Sequence, residues 1–272
     1  MLFRSRRANE LTTERTEKPT IAEIRRVAQP LSVTGRSNAE HWIADAYQRK
    51  FSPYLTRIFI NLGFSANTVT WLMILAALSI GPALLIQGWT GIILALFLSH
   101  LQMFLDCCDG EVARWRNTKS PMGIFLDKLG HYGAESLIPI CFGLRLADWP
   151  ENSISESNYA YFGALLAVLV ILNKAFNDAV HVARAFSGLD RIADIKGVNL
   201  PRGGILRIAR RAFNVVPIHR LFHSVEFTMY IAIFWQFGIS LQIALIFAVI
   251  VTIGHVLAII SSAKLRNSGS QI

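Results

Sequence analysis

The sequence has little of what stabilises a small secreted domain. Its three cysteines, Cys107, Cys108 and Cys141, all lie within apolar stretches and do not form the even set of exposed thiols that a disulfide framework requires. Charged residues make up only 17% of the 272 residues, whereas apolar residues make up 53%. Soluble domains of this size are less apolar. The composition therefore excludes a disulfide scaffold and argues against a soluble domain.

The first 37 residues lack the apolar core of about 7 to 15 residues that a secretory signal needs, so we expect no cleavable signal there. They mix Arg, Glu, Thr and Ser. This composition predicts a polar, flexible cytoplasmic tail over 1–37. Between Ile21 and Ala28, however, apolar residues repeat at helical spacing, which also fits a short surface helix. The sequence leaves these two interpretations open.

Residues 38–66 have the pattern of amphipathic helices that lie on a membrane surface. From Asn38 to Lys50, aromatic and aliphatic residues share one face and charged residues the other. In the second part, Ser52 is predicted to cap a helix and Pro53 to occupy its first position. Gly63 is expected to end that helix.

Six apolar runs are long enough to cross about 30 Å of hydrocarbon. The fold class predicted is an all-α integral membrane protein, with six transmembrane helices preceded by an amphipathic juxtamembrane helix. The catalytic domain would cover 67–263, followed by a cytoplasmic tail over 264–272. Because Glu226 and Gln236 shorten the fifth run, five spans remain an alternative. The six runs lie near 67–86, 89–108, 122–146, 159–180, 223–238 and 240–263.

Positive charge is distributed unevenly between the loops of this predicted topology. Lys and Arg accumulate on the cytoplasmic side of membrane proteins. With the amino terminus inside, 24 of the 27 Lys and Arg residues fall on cytoplasmic segments. The predicted outer loop 147–158 has three acidic residues and no Lys or Arg. We therefore expect a polytopic membrane protein with both termini and the active site on the cytoplasmic side.

Ionisable side chains cluster where the second predicted span ends and the third begins. Such groups are costly at membrane depth and usually face a cavity, a partner or an ion. Asp106 and Asp109 are three residues apart, and Asp127 and His131 are four apart, so each pair shares a helical face. A short connection makes neighbouring helices antiparallel, so the two faces can converge. An oxygen-rich cluster of this kind suits Mg²⁺ or Mn²⁺ better than zinc.

Residues beside this cluster favour a phosphate ligand. Gly110 allows a bulky ligand to approach the backbone, and Arg114 offers a planar fork of donors for phosphate oxygens. Ser120 and Pro121 predict the first turn of the third span, whose free amides favour anions. Together these features predict a site for a metal-bound pyrophosphate that opens toward the cytoplasm.

The spacing of these residues resembles the pattern DxxDGxxAR(x)8GxxxDxxxD of the CDP-alcohol phosphotransferases, integral membrane enzymes that make phospholipids. Asn67 and Thr70 are also similar to the PNxxT that many members carry, with Ala66 in place of the proline. His131 occupies the eighth position of the pattern, where the family has an aspartate. The seven matching positions are Asp106, Asp109, Gly110, Ala113, Arg114, Gly123 and Asp127.

The resemblance implies transfer of a phosphatidyl or substituted phosphoryl group from a CDP-linked donor to an alcohol, with release of CMP. It implies Mg²⁺ or Mn²⁺, as two ions, held by Asp106, Asp109 and Asp127, and a homodimer. CDP-diacylglycerol is the first choice of donor, and a small polyol or polyol phosphate the first choice of acceptor. The donor is expected to lie against Asn67, Thr70, Gly110, Ala113, Arg114, Ser120 and Gly123.

His131 replaces an aspartate that, in the family, touches a metal and is thought to deprotonate the acceptor alcohol. An imidazole is a suitable general base near neutral pH but a poorer ligand for a hard metal. The predicted catalytic residues are thus His131, Asp127 and Arg114, with His131 an additional metal ligand. Glu135 lies one turn further along the same stripe, where it would orient the imidazole or supply the missing oxygen. The alternative is that His131 only forms a hydrogen bond between helices.

A basic loop between the fourth and fifth predicted spans has two interpretations. Its positive charge attracts anionic lipid headgroups, or it binds a phosphate on the acceptor. No aromatic platform accompanies it, so nucleic acid is not an expected partner. A catalytically impaired family member that acts as a membrane scaffold remains an alternative, and a transporter a weaker one, because no pair of broken helices is evident. The candidate phosphate-binding residues of the loop are Arg202, Arg207, Arg210 and Arg211.

Overall fold

A computed structural model describes residues 18–34, 47–189 and 218–261. All regular secondary structure in these residues is helical, and they contain no strand. This confirms the predicted all-α class. Two short 3₁₀ helices lie at Ile154–Glu156 and Ile218–Phe222. The helices are α1 Ile21–Ala28, α2 Leu31–Thr34, α3 Arg49–Asn61, α4 Ala66–Leu84, α5 Gly88–Arg116, α6 Pro121–Leu146, α7 Asn158–Phe186, α8 Ser224–Phe234 and α9 Ile239–Ser261.

Helices α4 to α9 lie at the positions of the six predicted apolar runs. Four of them, α4, α5, α7 and α9, are long and apolar enough to cross a membrane, which indicates a membrane protein. Helix α6 has 26 residues but carries several charged side chains, and α8 has only 11 residues. By length and composition, the count of six spans is therefore not confirmed for the described residues.

The connection between α5 and α6 is shorter than predicted. Helix α5 continues to Arg116, whereas the apolar run was expected to end near residue 108. Val112 and Trp115 are buried, so the last turns of α5 have apolar contacts that stabilise them. Asn117 ends the helix in the left-handed conformation, with φ of 55°. Residues 106–114 of the motif therefore lie on one continuous helix.

Helix α6 lies between α4 and α7, and glycines bring the three backbones close together. A Cβ added to Gly81 of α4 would lie 2.8 Å from the Cβ of Leu137 in α6. One added to Gly163 of α7 would lie 2.5 Å from the carbonyl oxygen of Pro139 in α6. Small residues commonly allow such close approach between membrane helices. This packing fixes the position of α6, which carries half of the predicted site.

Arg145 joins the ends of three helices that lie far from the motif. Its buried guanidinium donates to the carbonyl oxygens of Leu84, Ile86 and Gly88 at 2.6 to 2.7 Å. Leu84 is the last residue of α4, where backbone acceptors have no partner within their helix, Ile86 lies in the turn, and Gly88 begins α5. The guanidinium also lies 4.6 Å from the ring centroid of Trp235. Arg145 thus closes the turn between α4 and α5 from α6.

Helix α3 begins three residues before the predicted cap. It starts at Arg49, so the prediction that Ser52 caps it and that Pro53 is its first residue is wrong. The Ser52 hydroxyl instead donates to the Glu111 carboxylate at 2.6 Å. Gly63, with φ of 78°, follows the end of the helix as predicted. The first predicted amphipathic stretch, up to residue 46, lies outside the described residues.

We expect Gly163→Ala to lower the stability of the helix bundle by about 1 to 3 kcal/mol, because its new methyl group would overlap the Pro139 carbonyl. Gly254→Ala in α9 is the matched control, since an added Cβ there meets no atom within 4 Å. Its helix propensity should make it neutral or stabilising. Thermal unfolding of both variants in detergent measures the difference. Equal melting temperatures would contradict the close packing of α6 and α7.

Candidate functional site

Asp106, Asp127 and His131 meet where α5 and α6 face each other. The Nε2 atom of His131 lies 3.0 Å from Oδ1 of Asp106 and 3.5 Å from Oδ1 of Asp127. All three side chains are partly buried. One ligand atom from each lies within 4.8 Å of the others. The structure therefore brings together three of the predicted site residues.

These three residues form a group that can hold a divalent metal ion. Carboxylate oxygens are the donors that Mg²⁺ prefers, and Mn²⁺ accepts both oxygen and imidazole nitrogen. The imidazole already directs Nε2 toward the two carboxylates. The donor set therefore fits the predicted metal, with Mn²⁺ accommodated at least as well as Mg²⁺.

Asp109 is not among these three residues. Its carboxylate is buried, and Oδ2 accepts a hydrogen bond of 2.8 Å from the Thr70 hydroxyl of α4. That hydroxyl also lies 3.0 Å from the Ala66 carbonyl oxygen. The contact joins α4 to α5 and places Thr70, a predicted donor-binding residue, beside a motif aspartate. The role of Asp109 as a metal ligand stays a prediction.

Three residues predicted to bind the donor lie together at the start of α6. Ser120 caps the helix, and its Oγ accepts a hydrogen bond of 3.1 Å from the Gly123 amide. This confirms the predicted cap and the placement of Pro121 in the first turn. A Cβ added to Gly123 would lie 3.6 Å from Oδ1 of Asn67. The starts of α4 and α6 thus present polar groups side by side.

The guanidinium of Arg114 lies over Gly110, one turn earlier on α5. A Cβ added to Gly110 would lie 2.9 Å from Nη1 of Arg114 and 3.3 Å from Nη2. The absence of a side chain at residue 110 therefore makes room for the arginine. Nε of Arg114 donates to the carbonyl oxygen of Ala28 at the end of α1. Ala113, the remaining predicted donor residue, packs against the hydrophobic core.

Glu135 lies one turn beyond His131 on α6 and is almost fully buried. Its Oε1 is 3.9 Å from Nδ1 of His131 and 3.3 Å from Nδ1 of His223. Its Oε2 is 2.7 Å from Nζ of Lys174 in α7. The carboxylate thus faces the side of the imidazole that points away from Asp106. It joins α6 to α7 and to the residue that precedes α8.

Sequence reasoning missed Lys174 and His223 as partners of Glu135. A signal existed for Lys174, because it is one of three basic residues that fall within the predicted spans. None existed for His223, which is 88 residues away from Glu135. Pairing at such separations follows from helix packing and not from any local spacing.

Glu111 is a further buried carboxylate, and sequence reasoning missed it. It is fully buried on α5 and faces α3, where it accepts hydrogen bonds of 2.6 Å from the hydroxyls of Ser52 and Thr56. The side-chain amide of Gln29 donates to it at 2.8 Å. An acidic residue inside a membrane helix was the signal that could have drawn attention to it. Its partners are 55 to 82 residues away.

The predicted acceptor-binding arginines of the basic loop lie outside the described residues, which exclude 190–217. Arg202, Arg207, Arg210 and Arg211 therefore remain predictions.

The fold and the cluster define a class, that of helical membrane proteins with a candidate divalent-metal centre between two helices. Residues 64–260 match the profile of one family, described as CDP-alcohol phosphatidyltransferase. The match covers well over half of the 272 residues, and the chain belongs to this family. The predicted resemblance is confirmed. Comparison with curated protein sequences finds no match. The family is one of transferases that use a CDP-alcohol donor and an alcohol acceptor, and it is generally metal-dependent.

We expect Lys174→Met to lower the stability of the protein by about 3 kcal/mol, because it removes the ammonium group beside a buried carboxylate. The double variant Glu135→Gln with Lys174→Met should recover much of that loss, since the buried negative charge is then absent. Lys119→Met, at an exposed position, is the control. Thermal unfolding in detergent measures all three. A double variant as unstable as Lys174→Met would contradict the ion pair.

Proposed function

We propose that the protein transfers a phosphatidyl or substituted phosphoryl group from a CDP-linked donor to an alcohol and releases CMP, as a step of phospholipid synthesis. CDP-diacylglycerol is the proposed donor, and a small polyol or polyol phosphate the proposed acceptor. The observation that carries the proposal is the convergence of Asp106, Asp127 and His131 inside the region that matches the family. A lipid donor accounts for a site built between membrane helices.

Asp106 and Asp127 would hold a divalent ion, Mg²⁺ or Mn²⁺, beside the His131 imidazole, and Asp109 lies one turn from Asp106 on α5. When bound, the ion supplies positive charge that neutralises the donor's pyrophosphate and the departing CMP. Asp109, held by Thr70, is the further carboxylate for the second ion that the resemblance implies. The carboxylates would hold the positive charge of the ion in a fixed place before the donor binds.

Arg114 is proposed to bind the donor's phosphate oxygens. Its Nη atoms lie over Gly110, which follows the motif residue Asp109 on the same helix. Asn67, Ser120 and Gly123 are proposed to contact the nucleotide from the adjoining helix starts, because they already lie together there. Thr70 and Ala113 support this surface from α4 and α5.

His131 is proposed to take the proton of the attacking hydroxyl through Nε2. That nitrogen faces the two aspartates, whereas Nδ1 faces Glu135. With a proton on Nδ1, the imidazole presents a lone pair on Nε2 toward the site. Glu135 then stabilises the charge that the ring acquires when it accepts the second proton. Lys174 and His223 hold Glu135 for this purpose.

The proposed topology has six membrane-crossing helices, α4 to α9, with both termini and the site on the cytoplasmic side. The distribution of Lys and Arg supports it, as does the position of α6 between α4 and α7, where polar side chains face protein. The catalytic domain would be 67–263. A homodimer and attraction of the basic loop to anionic lipid belong to the same proposal.

Release of CMP tests the proposed activity. Purified protein with Mn²⁺, CDP-diacylglycerol and a panel of polyols and polyol phosphates should release CMP, and excess chelator should stop it. Asp127→Asn should lower turnover at least a hundredfold, because it removes a charge from the metal group. Asp148→Asn, the same change at an exposed turn with φ of 51°, should have no effect. Failure to release CMP with every acceptor would favour the scaffold.

Substitutions of His131 test its role as base. His131→Ala should lose most turnover while CDP binding persists, because the pyrophosphate contacts remain. His131→Asp restores the family pattern and should keep substantial activity. Glu135→Gln should lower the catalytic rate constant with little change in either Michaelis constant, since it acts on the imidazole. Normal turnover by His131→Ala would show that the imidazole is a packing residue, and Glu135 would become the first candidate base.

A further inference from the structure

Helix α1 lies outside the residues that match the family, yet it packs against α5, which carries the first part of the motif. Ile24 and Ala28 are fully buried on its inner face. The helix has a defined start, because Thr20 and Glu23 exchange backbone and side-chain hydrogen bonds in a capping box. The hydrogen bonds from the Thr20 amide and hydroxyl lower the pKa of the Glu23 carboxyl below its ordinary value. The buried face and the capped start indicate that α1 occupies a specific position against α5.

Gln29, just after α1, joins this segment to α3 and α5. Its Nε2 lies 2.7 Å from the Arg49 carbonyl oxygen and 2.8 Å from Oε1 of Glu111. The Arg49 carbonyl would ordinarily accept from the amide four residues later, but that residue is Pro53, which has no N–H. The amide of Gln29 therefore takes the place of a missing helical hydrogen bond. Arg25 adds a bond of 2.9 Å to the Lys50 carbonyl oxygen.

The contact between α1 and Arg114 determines how the arginine faces the site. Because Nε donates to the Ala28 carbonyl, the opposite edge of the planar guanidinium, with Nη1 and Nη2, lies over Gly110. This is the edge from which an arginine can bind two phosphate oxygens at once. Fixing a long side chain before the ligand arrives also reduces the conformational entropy lost on binding.

We propose that α1 is a positioning element of the donor site, in which Ala28 orients Arg114 for the donor's pyrophosphate. Gln29 acts with it by holding the start of α3 beside the buried Glu111 of α5. Neither residue touches the reacting atoms. This inference rests on the proposed function, because it assumes that a CDP-linked donor binds at Arg114.

A pair of substitutions on α1 tests the proposal. Ile24→Asp places a carboxylate at a fully buried position and should detach α1, whereas Ala22→Asp makes the same change at an exposed position of the same helix. We expect Ile24→Asp to raise the dissociation constant for CDP with Mn²⁺, and the Michaelis constant of the donor, about tenfold, as the loss of one oriented charged contact would. The acceptor's Michaelis constant should not change, and Ala22→Asp should behave as wild type.

A less disruptive variant distinguishes a specific effect on the donor site from general misfolding. Gln29→Leu keeps the hydrophobic face of α1 and removes the bonds from the side-chain amide to Arg49, Ser52 and Glu111. It should shift donor affinity in the same direction by about threefold, with a melting temperature close to that of wild type. Loss of donor and acceptor affinity together in both variants would indicate damage to the bundle and would overturn a specific role in the donor site.

Proteolysis provides a readout that does not depend on activity. Arg25 and Arg26 are exposed on α1 and offer sites for trypsin. If α1 and Arg114 stabilise each other, Arg114→Leu should accelerate cleavage after these residues, and CDP with Mn²⁺ should slow it in the wild type. Cleavage unaffected by Arg114→Leu would overturn the coupling.

The outcomes separate the inference from the proposed function. Unchanged CDP affinity in Ile24→Asp overturns the positioning role, and tighter affinity would show instead that α1 covers the site and inhibits it. If the wild type neither binds CDP nor releases CMP, the proposed function fails. In that case the effect of Arg114→Leu on trypsin cleavage still decides whether α1 and the arginine are coupled.

Discussion

Negative charge held within membrane helices is the constraint on which the rest of this structure depends. A carboxylate taken from water into a low-dielectric interior is destabilised unless a cation or hydrogen-bond donors accompany it. Each buried carboxylate of α5 and α6 draws its donors from a different neighbour: Glu111 from α3, Asp109 from Thr70 of α4, and Glu135 from Lys174 of α7. The requirement to satisfy these charges therefore fixes which helices surround the motif.

The partners of each carboxylate distinguish structural carboxylates from those that could bind a metal ion. Glu111 has hydroxyl and amide donors from α3 and Gln29, and Glu135 has an ammonium group and imidazoles, so the protein itself satisfies them. Asp106 and Asp127 instead converge on one imidazole, and their mutual repulsion favours an additional cation. A metal ion at that point would neutralise the charge of Asp106 and Asp127, as protein donors already do for Glu111 and Glu135.

Local patterns in the sequence predicted local structure well. The apolar runs located α4 to α9, Ser120 was the cap of α6, and Asp127 and His131, four apart on α6, faced the same cluster as Asp106 of α5. The start of α3 was not predictable in this way, because a serine before a proline has the same appearance whether it caps a helix or binds a distant carboxylate. Residues of α1 were equally ambiguous, since their partners on α3 and α5 lie elsewhere in the sequence. Only packing distinguishes such cases.

The difference in apolar character between α6 and α9 follows from the same constraint. Helix α9 is strongly apolar, and only 17% of its most apolar stretch is buried in the protein, as expected of a helix whose sides face hydrocarbon. Helix α6 is packed between α4 and α7 and carries Asp127, His131 and Glu135, of which His131 and Glu135 contact charged groups on neighbouring helices. A helix that bears an ionisable site inside a membrane bundle is therefore expected to be less apolar than neighbours that face lipid.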